Sequence, residues 1–459
     1  MGNRDREALS PVSGIDLFLD RLRESIGRTV LIWQDEAYDG AWLLNAIEEH
    51  RRTVAEFGIT PGGIVALIGD YTPSAIAMLL ALLGEGAIVA PLLPGSLLRA
   101  PQLLDLADPA FRIDIGEDET ANIAAVQQAA PPHPLVETLR HRSLPGLILF
   151  TSGSTGEPKG VVHDFSRLAA KFAQRRPAFR MMSFLTFDHA GGINTLLHAI
   201  ATASPIVLLE KRSVDYVCGQ IERHALELLP TSPTFLNMLL LGNAQAKYDL
   251  SSLRLITYGS EAMPPSTLEN LAKAFPDAEL RQTYGSIEIG VLRCRSRADD
   301  SLWITLGGKG VETRIVDGML EIKTDTAMLG YLNAESPFTA DGYYRTGDRV
   351  ECDGDALRIL GRDSDLINVG GQKVYPAEVL SVLLECEDVA DAVVFGEPNP
   401  IMGMTVAAKV RLQDPSLDPQ AARNRIKRFC GARLDPFKIP VRITVSEDIL
   451  HGDRFKRRQ

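Results

Sequence analysis

Four hydroxyl side chains, three glycines and one lysine lie within ten residues at positions 151–160, which read TSGSTGEPKG. Glycines let backbone N–H groups approach an anion closely, hydroxyls add hydrogen-bond donors, and a lysine supplies a positive charge. The apolar residues 147–150 directly before this segment predict a buried strand, and α/β proteins bind ligands at the ends of such strands. The pattern therefore predicts a phosphate-binding loop.

Two alternatives apply to this segment. A Walker-type loop has the spacing G-x-x-x-x-G-K-[ST] and runs into a helix, but here Pro158 precedes Lys159 and Gly160 follows it. A plain surface loop or flexible linker is also rich in glycine and serine. Because such a loop seldom combines this many hydroxyls with glycines and a lysine, we favour a phosphate loop of another kind.

Composition limits the class of protein. The chain has 459 residues and a formal net charge of −11, which predicts at least two domains and argues against a general nucleic-acid binder. Its five cysteines are scattered without a C-x-x-C pair, so we expect buried free thiols in a reducing cytosol. No secretory signal or membrane span is predicted, because residues 1–10 are charged and glycines and a proline interrupt the apolar residues 74–93. The expected location is cytoplasmic.

Strand-length apolar runs alternate with helix-length segments through the first two-thirds of the chain. Residues 64–70 precede a predicted helix at 74–83, and residues 204–210 precede one at 214–228. Residues 253–259 precede a helix that Pro264 and Pro265 would begin. Repeated strand–helix units predict an α/β fold with mostly parallel sheets covered by helices.

The pattern changes near residue 301. Short strands with glycine turns predict an antiparallel, β-barrel-like subdomain at about 301–360, with Asp317-Gly318 as a two-residue hairpin turn. After the polar residues 361–365, a helix after Pro376, strands near Ala392 and Val406 and a helix near Ala421 predict a small α+β domain. We therefore predict a large N-terminal domain at 1–361 and a small C-terminal domain at 362–459.

Further motifs follow the loop in a fixed order: TYGSEAMP from Thr257, QTYGSIEIG from Gln282, YRTGDRV from Tyr344, GRDSDLINVGGQKVYPAEV from Gly361 and RFKRR from Arg454. Together they resemble the adenylate-forming superfamily of acyl- and aryl-CoA synthetases, peptide-synthetase adenylation domains and luciferases, over nearly the whole chain. The VGGQKVYPAEV segment is more similar to an acyl- or aryl-CoA ligase. The resemblance implies that the small domain is a mobile lid, with a hinge at Ser364 and a thiol channel at Gly370 and Gly371.

The resemblance also implies an ATP site. The loop would wrap the β- and γ-phosphates, Tyr284 would stack on adenine, Asp348 would accept the ribose hydroxyls, and Arg362 would reach the same sugar. The residues implied to bind ATP or AMP are Thr151, Ser152, Gly153, Ser154, Thr155, Gly156, Lys159, Gly259, Ser260, Glu261, Tyr284, Gly285, Ser286, Asp348 and Arg362.

The implied catalytic residues are Thr151, Ser286, Glu288 and Lys456. Ser286 would donate to the α-phosphate, and Glu288 offers hard oxygen ligands for Mg²⁺. Relatives usually end in S-G-K, whereas this tail reads HGDRFKRRQ. Counting from Pro440 places Lys456 on the catalytic lysine, while the alternative is a solvated basic tail.

The acid pocket is implied to include His189, Gly191, Gly192 and Tyr258, within residues 184–197 and 231–284. His163 and Asp164 differ from the Thr-His pair that many relatives carry, and we assign them no role. The acid itself is expected to be a small aromatic acid, with a short- or medium-chain fatty acid as the alternative.

The resemblance implies a two-step ligation that uses ATP and Mg²⁺: activation of a carboxylic acid as an acyl-AMP with release of pyrophosphate, then transfer to the thiol of coenzyme A. The phosphopantetheine of an acyl carrier protein is the alternative acceptor. A non-catalytic nucleotide-binding regulatory protein is the alternative of another class, which the altered tail supports. We expect a monomer or a homodimer.

Overall fold

The computed structural model describes residues 14–152, 157–298, 301–308, 310–447 and 450. The chain divides into two compact units. The first unit holds residues 1–210, 286–291 and 325–336, and the second holds residues 211–285, 292–324 and 337–459. The predicted boundary between residues 361 and 362 falls inside the second unit. This division of the chain does not test it, and the boundary stays a prediction.

A seven-stranded sheet is the main element of the first unit. Its inner strands pair in parallel and its outer pairs are antiparallel. In spatial order the strands are Gly330–Tyr331, Pro158–Asp164, Gly146–Ser152, Ile88–Leu92, Ile64–Ile68, Phe111–Ile115 and Ala121–Ala125. The helices described in this unit are Asp16–Arg23, Gly40–Glu56, Pro73–Gly84, Pro94–Arg99, Gln102–Ala107, Pro134–His141, Phe165–Ala170 and Ala190–Thr202.

The central strands and the helix Pro73–Gly84 explain why this sheet forms. Every residue of Ile64–Ile68 and Ile88–Leu92 is buried, as expected for strands covered on both faces. Thr72 caps the helix by accepting a hydrogen bond from the Ala75 amide, and proline at the first helical position suits a helix start. The predicted strand at 64–70 and helix at 74–83 are both present, within two residues at each end.

A second group of strands in the first unit is shorter than predicted. Parallel pairs join Met181–Met182, Ile206–Val207 and Thr29–Trp33, and Glu36–Asp39 adds an antiparallel edge. The predicted strand at 204–210 covers only Ile206–Val207. One reason is that the Leu209 amide donates its hydrogen bond to the Ser183 hydroxyl. Leu209 is therefore bonded to a side chain and not to the backbone of a neighbouring strand.

Parallel strands recur in the second unit, at Leu228–Thr231, Leu255–Tyr258 and Glu279–Gln282. The helix predicted at 214–228 ends earlier, because Ala225 adopts a left-handed conformation (φ 47°) and the chain then enters the first of these strands. The helices described in this unit are Val214–His224, Pro233–Leu241, Pro265–Ala274, Pro376–Leu384 and Pro419–Gly431, with short 3₁₀ turns at Ala244–Ala246, Asp363–Asp365 and Pro436–Lys438.

An antiparallel sheet follows, as the sequence predicts for the region near 301–360. Its order is Tyr284–Ser286, Gly290–Ser296, Ile304–Gly307, Ala356–Arg362, Tyr344–Asp353, Met319–Thr324 and Val311–Val316. The last two strands form the predicted hairpin. Asp317 (φ 52°) and Gly318 (φ 78°) both have positive φ, which is the backbone a two-residue turn of this kind requires.

The C-terminal part of the second unit has a sheet and a core of its own. Its five strands are Gln372–Val374, Ile367–Val369, Gly403–Leu412 and Val389–Asn399 in spatial order, with Arg442–Val445 parallel to Gly403–Leu412. Buried apolar residues between Ile367 and Ile443 form one hydrophobic cluster. The helices after Pro376 and near Ala421 and the predicted strands are present.

The cysteines are free, but not all are buried as the sequence suggested. Cys218, Cys386 and Cys430 are buried, Cys294 is half-buried and Cys352 is exposed. Cys352 lies at the end of the strand Tyr344–Asp353, where the last three residues, 351–353, are all exposed. No helix in the described part of the chain is long and apolar enough to cross a membrane.

Candidate active site

The predicted phosphate loop connects two antiparallel strands, Gly146–Ser152 and Pro158–Asp164. Thr151 and Lys159 are paired directly across this hairpin. A strand–loop–strand arrangement differs from the strand–loop–helix of a Walker loop, which explains why the Walker spacing is absent. The predicted binding residues Gly153, Ser154, Thr155 and Gly156, with the side chain of Ser152, lie outside the described residues.

Lys159 stands beside an aromatic ring. Its Nζ lies 5.3 Å from the centre of the Tyr331 ring, which is within the range of a cation–π contact. The adjacent Gly160 donates its amide to Oδ1 of Asn333 at 3.1 Å, and a Cβ at this position would meet Leu332 at 2.8 Å. A larger residue here would therefore have to displace the Leu332 side chain, which is next to Tyr331.

The same tyrosine contacts the predicted metal ligand. The hydroxyl of Tyr331 donates to Oε1 of Glu288 at 2.8 Å, and Glu288 is buried. The Met328 amide donates to the Glu288 carbonyl at 2.7 Å, which fixes the backbone. Two residues earlier, the Ser286 hydroxyl is buried and makes no hydrogen bond within the described part of the chain. This donor is therefore available to a ligand.

Glu288 fits a magnesium ion that is bound partly by substrate. No group of three or more His, Cys, Asp and Glu side chains that could hold a metal occurs among the described residues. Mg²⁺ typically keeps several waters and binds through one or two carboxylates and substrate phosphates. One oriented carboxylate is therefore sufficient, and Glu288 is the residue that would hold the ion.

The predicted nucleoside residues form a hydrogen-bonded group in the second unit. The Tyr284 hydroxyl donates to Oδ2 of Asp348 at 2.5 Å, and Nε of Arg362 lies 3.4 Å from Oδ1 of the same carboxylate. Asp348 and Arg362 are paired across two antiparallel strands, which places both side chains beside each other. Gly285, which follows Tyr284, is exposed.

Burial controls the ionisation of this pair. Desolvation raises the pKa of Asp348, while the hydrogen bond from Tyr284 and the positive charge of Arg362 oppose that rise. Desolvation and the nearby Asp348 charge raise the pKa of Tyr284 well above its ordinary value. Tyr284 is therefore a hydrogen-bond donor, and Asp348 is a carboxylate whose charge depends on its two partners.

The segment Gly259, Ser260 and Glu261, implied to bind ATP or AMP, is held by close packing. A Cβ at Gly259 would lie 2.3 Å from Oγ1 of Thr283, so no larger residue fits there without rearrangement. Ser260 has φ 72°, a conformation that strains most residues other than glycine. Glu261 accepts a hydrogen bond of 2.6 Å from the Thr234 hydroxyl, so its carboxylate is fixed in this structure.

His189, predicted to contact the acid, also caps a helix. Its Nδ1 accepts a hydrogen bond from the Gly191 amide at 3.0 Å at the start of Ala190–Thr202. A Cβ at Gly192 would lie 2.1 Å from the Thr186 carbonyl oxygen, which explains the glycine. Tyr258, the other predicted acid-binding residue, is buried at the end of Leu255–Tyr258.

A small cavity lies in the first unit, beside the segment predicted to border the acid. Its polar lining side chains are His163, Lys171 and Asn194. The other lining residues are Leu147, Leu149, Leu168, Phe172, Ala190, Ile193, Leu197, Ile287, Gly290 and Val291. Four of these thirteen residues lie within the predicted pocket segment 184–197: Ala190, Ile193, Asn194 and Leu197.

The residues predicted for the lid make local contacts, and these contacts do not test the predicted hinge and thiol channel. Ser364 lies in the 3₁₀ turn Asp363–Asp365, and its hydroxyl donates to Asp365 at 3.0 Å. Gly370 (φ 58°) and Gly371 (φ 88°) form the turn between Ile367–Val369 and Gln372–Val374. Lys456 lies outside the described residues. The predicted roles of all these residues stay predictions.

The structure brings together predicted residues within each unit and adds others that the motifs do not contain. Tyr284, Asp348 and Arg362 contact one another, and Tyr331 links Lys159 with Glu288. Sequence analysis missed Tyr331, because a single tyrosine outside a motif carries no signal. It also missed Lys171, which lies in a helix-end segment where a lysine is usually solvated.

The family is evident from comparison with known proteins. Residues 20–344 match the family model described as AMP-binding enzyme, and residues 378–451 match the model of the AMP-binding enzyme C-terminal domain. Solved structures of adenylate-forming enzymes share the fold, so the predicted α/β fold class is confirmed. The chain belongs to the AMP-binding enzyme family.

Relatives and structures of this family match most of the chain. Indoleacetate–CoA ligase of Aromatoleum aromaticum is 27% identical over 92% of both chains, and 2-succinylbenzoate–CoA ligase of Bacillus pumilus is 28% identical over 90% of both. ATP-bound MatB of Rhodopseudomonas palustris has a TM-score of 0.80 at 20% identity, over 96% of this chain and 97% of that chain. The anthranilate CoA ligase AuaEII, in complex with anthranoyl-AMP, has a TM-score of 0.78 at 19% identity, over 97% and 95%.

These findings confirm the predicted resemblance and the predicted type of activity. The protein is an AMP-forming acid–thiol ligase of the acyl- or aryl-CoA synthetase type. Its reaction activates a carboxylic acid with ATP and forms a CoA thioester, with Mg²⁺ as the metal.

Proposed function

We propose that this ligase activates an aromatic acid, with the residues named above in specific roles. The observation that carries the assignment is the hydrogen bond between Tyr284 and Asp348, which belong to two motifs separated by 64 residues. The resemblance assigns both motifs to the same nucleoside. Their contact supports a nucleoside site at which Tyr284 stacks on the base while Asp348 and Arg362 hold the ribose.

Lys159, Ser286 and Glu288 would act on the phosphates. The acid carboxylate attacks the α-phosphorus of ATP, the bond to the β-phosphate oxygen breaks, and pyrophosphate leaves with the bonding electrons. Ser286 has a buried hydroxyl without a partner in the described part of the chain, and it can donate to an α-phosphate oxygen. Mg²⁺, held through Glu288, would supply neutralising positive charge. Lys456 would donate to the developing negative charge, and one well-placed donor is typically worth ~3–4 kcal/mol in such a site.

Water must be kept from the acyl-AMP, because this mixed anhydride hydrolyses readily. We propose that residues 362–459 close over it as a lid that pivots at Ser364. A second position of the lid would then bring the turn at Gly370 and Gly371 forward to admit the thiol. Conformational gating of this kind lets one enzyme separate two chemical steps.

An aromatic acid is favoured by the names of two relatives. Indoleacetate–CoA ligase and 2-succinylbenzoate–CoA ligase, the relatives described above, are named for acids that carry an aromatic ring. A fatty acid remains the second candidate, since a long-chain-fatty-acid–CoA ligase of Mycobacterium tuberculosis is 27% identical over 75% of this chain and 71% of its own.

The experiment is pyrophosphate exchange with a panel of aryl and alkyl acids at equal concentration, followed by addition of CoA or a holo acyl carrier protein. We expect the greatest exchange with an aryl acid and thioester formation with CoA. Faster transfer to the carrier protein would reassign the acceptor, and exchange with fatty acids alone would overturn the aryl proposal. ATP binding without exchange for every acid would favour a regulatory protein over an enzyme. Sedimentation of the same preparation would decide between monomer and homodimer.

A further inference from the structure

Lys171 is a cation in apolar surroundings that the proposed mechanism does not use. It follows the helix Phe165–Ala170, and part of the residue is exposed. Its ammonium end points inward: Nζ donates to the Val291 carbonyl at 3.1 Å and lies 5.0 Å from the centre of the buried Phe172 ring. An ammonium group has three protons to donate, so this group can bind further acceptors.

The charges that act on Lys171 are positive. Desolvation, followed by the positive charge of Arg176, lowers the pKa of Lys171 to about 7. Among the residues that the structure describes, no carboxylate is a cause of this shift. Placing a cation in an apolar environment is unfavourable unless it is paired with an anion. The site therefore has the charge and the surroundings of an anion subsite.

A second polar atom of the cavity wall lacks a partner among the residues that the structure describes. His163 is 1% exposed, and its Nε2 lies 2.7 Å from the Ile287 carbonyl oxygen, for which it is the donor. Its Nδ1 is buried and makes no hydrogen bond to any residue that the structure describes. Because Nε2 carries the proton, Nδ1 is an acceptor, so its partner would be a donor such as a water and not the carboxylate itself.

The position of the cavity connects these groups with the acid. Its walls include Ala190, which directly follows the predicted acid-pocket residue His189, and Asn194, about one turn further along the same helix. On the other side, Ile287 and Gly290 flank the predicted metal ligand Glu288 in the chain. The cavity is small, so it admits a single functional group while the body of the substrate lies outside it.

We propose that this cavity binds a second carboxylate, at the end of the acid substrate remote from the reacting carboxyl group. Lys171 provides the positive charge, Asn194 offers a neutral amide, and the apolar walls exclude acids with bulky ends. Lys171 is then a specificity-determining residue, and the substrate class is an aromatic dicarboxylic acid. The inference rests on the proposed function, because it assumes that the acid lies against the helix Ala190–Thr202.

The test compares matched acids in pyrophosphate exchange. The parent is 3-phenylpropanoate, and its ortho-, meta- and para-carboxy derivatives add the second carboxylate at three positions. With the native chain we expect one derivative to exceed the parent in kcat/KM by about 100-fold, since a site built for a polar group discriminates strongly against an analogue that lacks it. Lys171→Met should remove that preference while exchange with the parent stays within about threefold.

Lys247→Met is the matched control, because it makes the same change at an exposed lysine; it should keep the native preference. Lys171→Gln keeps a hydrogen-bond donor but removes the positive charge, so this variant should lose most of the preference for the dicarboxylate. The inference is overturned if no derivative exceeds the parent, or if the preference survives in Lys171→Met.

Failure of the proposed function is distinguishable from failure of this inference. Absence of exchange with every acid would count against the proposed function alone. In that case calorimetric binding of the same four acids, in the presence of a non-hydrolysable ATP analogue, decides the inference. Tighter binding of one dicarboxylate to the native chain, lost in Lys171→Met, would support it, and equal binding of all four acids would overturn it.

Discussion

Tyr284 donates its hydroxyl to Oδ2 of Asp348 over 2.5 Å, while Arg362 stands 3.4 Å from the other carboxylate oxygen. The Asp348 side chain is only 14% exposed, so these two partners account for much of its surroundings. The tyrosine ring is therefore oriented by the same carboxylate that we propose to accept the ribose hydroxyls. In the proposed site, base stacking and sugar binding would be coupled through this hydrogen bond.

Tyr284→Phe keeps the ring and removes this hydrogen bond. Because the bond lowers the pKa of Asp348, its loss should raise that pKa further and shift the acidic limb of kcat/KM for ATP to higher pH. We also expect the KM for ATP at neutral pH to rise roughly tenfold, as for loss of one hydrogen bond to a charged group. Steady-state pyrophosphate exchange measured across pH checks both effects.

Tyr343→Phe is the control for this change, because Tyr343 donates to the exposed Glu312 at 2.9 Å in the same unit. It should leave the KM for ATP and the pH profile unchanged. A Tyr284→Phe variant with native KM and native pH profile would separate Asp348 from nucleotide binding and contradict the proposed site.

Sequence reasoning could propose the motif residues of the site because chemistry restricts their type and spacing. Tyr284, Glu288 and Asp348 are recognisable in short motifs. Tyr331 and Lys171 are not, because their roles depend on which strand or cavity they contact. Contacts such as that between Tyr331 and Glu288 join segments 43 residues apart, so only the folded chain reveals them.

The fold was predictable where local signals agree with packing. Asp317-Gly318 specifies its hairpin through backbone conformation alone, and Ile64–Ile68 is apolar enough to be a buried strand in any arrangement. The prediction at 204–210 was too long, because apolar composition does not tell which amides find a strand partner. At Leu209 the Ser183 hydroxyl takes that place.

Tyr331→Phe should raise the Mg²⁺ concentration that the reaction's first step requires. The variant removes the donor that orients Glu288, and loss of such a partner behind a metal ligand typically costs about 10- to 100-fold in metal affinity. We expect the Mg²⁺ concentration for half-maximal exchange to rise about tenfold. A Mg²⁺ titration of exchange at fixed ATP, with calorimetric binding of Mg²⁺ and ATP, measures this shift.

Tyr38→Phe serves as the comparison, since Tyr38 donates to Glu36 on the exposed surface of the same unit. This variant should titrate with Mg²⁺ as the native protein does. An unchanged titration in Tyr331→Phe would show that Glu288 needs no such support, or that another residue holds the ion.

His163 should make the protein less stable in acid. Burial lowers the pKa of His163 to about 4, whereas an unfolded histidine has a value near 6.5. The unfolded chain therefore binds a proton that the native protein excludes, and stability is lost as the pH falls from 6.5 towards 4. The expected loss from this residue is about 3 kcal/mol.

His163→Gln tests this effect, because glutamine can still donate to the Ile287 carbonyl but does not titrate. Between pH 7.5 and 4.5 the native chain should lose about 3 kcal/mol more unfolding free energy than this variant, as measured by urea unfolding at each pH. His141→Gln, a change at an exposed histidine, should follow the native protein. Parallel pH curves for the native chain and His163→Gln would show that His163 is not buried as a neutral side chain.

Lys456→Ala should separate the two chemical steps. If Lys456 donates to the α-phosphate while the acyl-AMP forms, its removal should reduce pyrophosphate exchange by about 100-fold or more. Thioester formation from supplied acyl-AMP and CoA should stay within about threefold, because the proposed rotation of the lid about Ser364 withdraws Lys456 from the phosphate before that step. Arg458→Ala, two residues further along the same basic tail, is the control and should be native in both assays. Equal loss of both steps in Lys456→Ala, or equal effects of the two variants, would mean that the tail acts through its overall charge and that the catalytic lysine lies elsewhere.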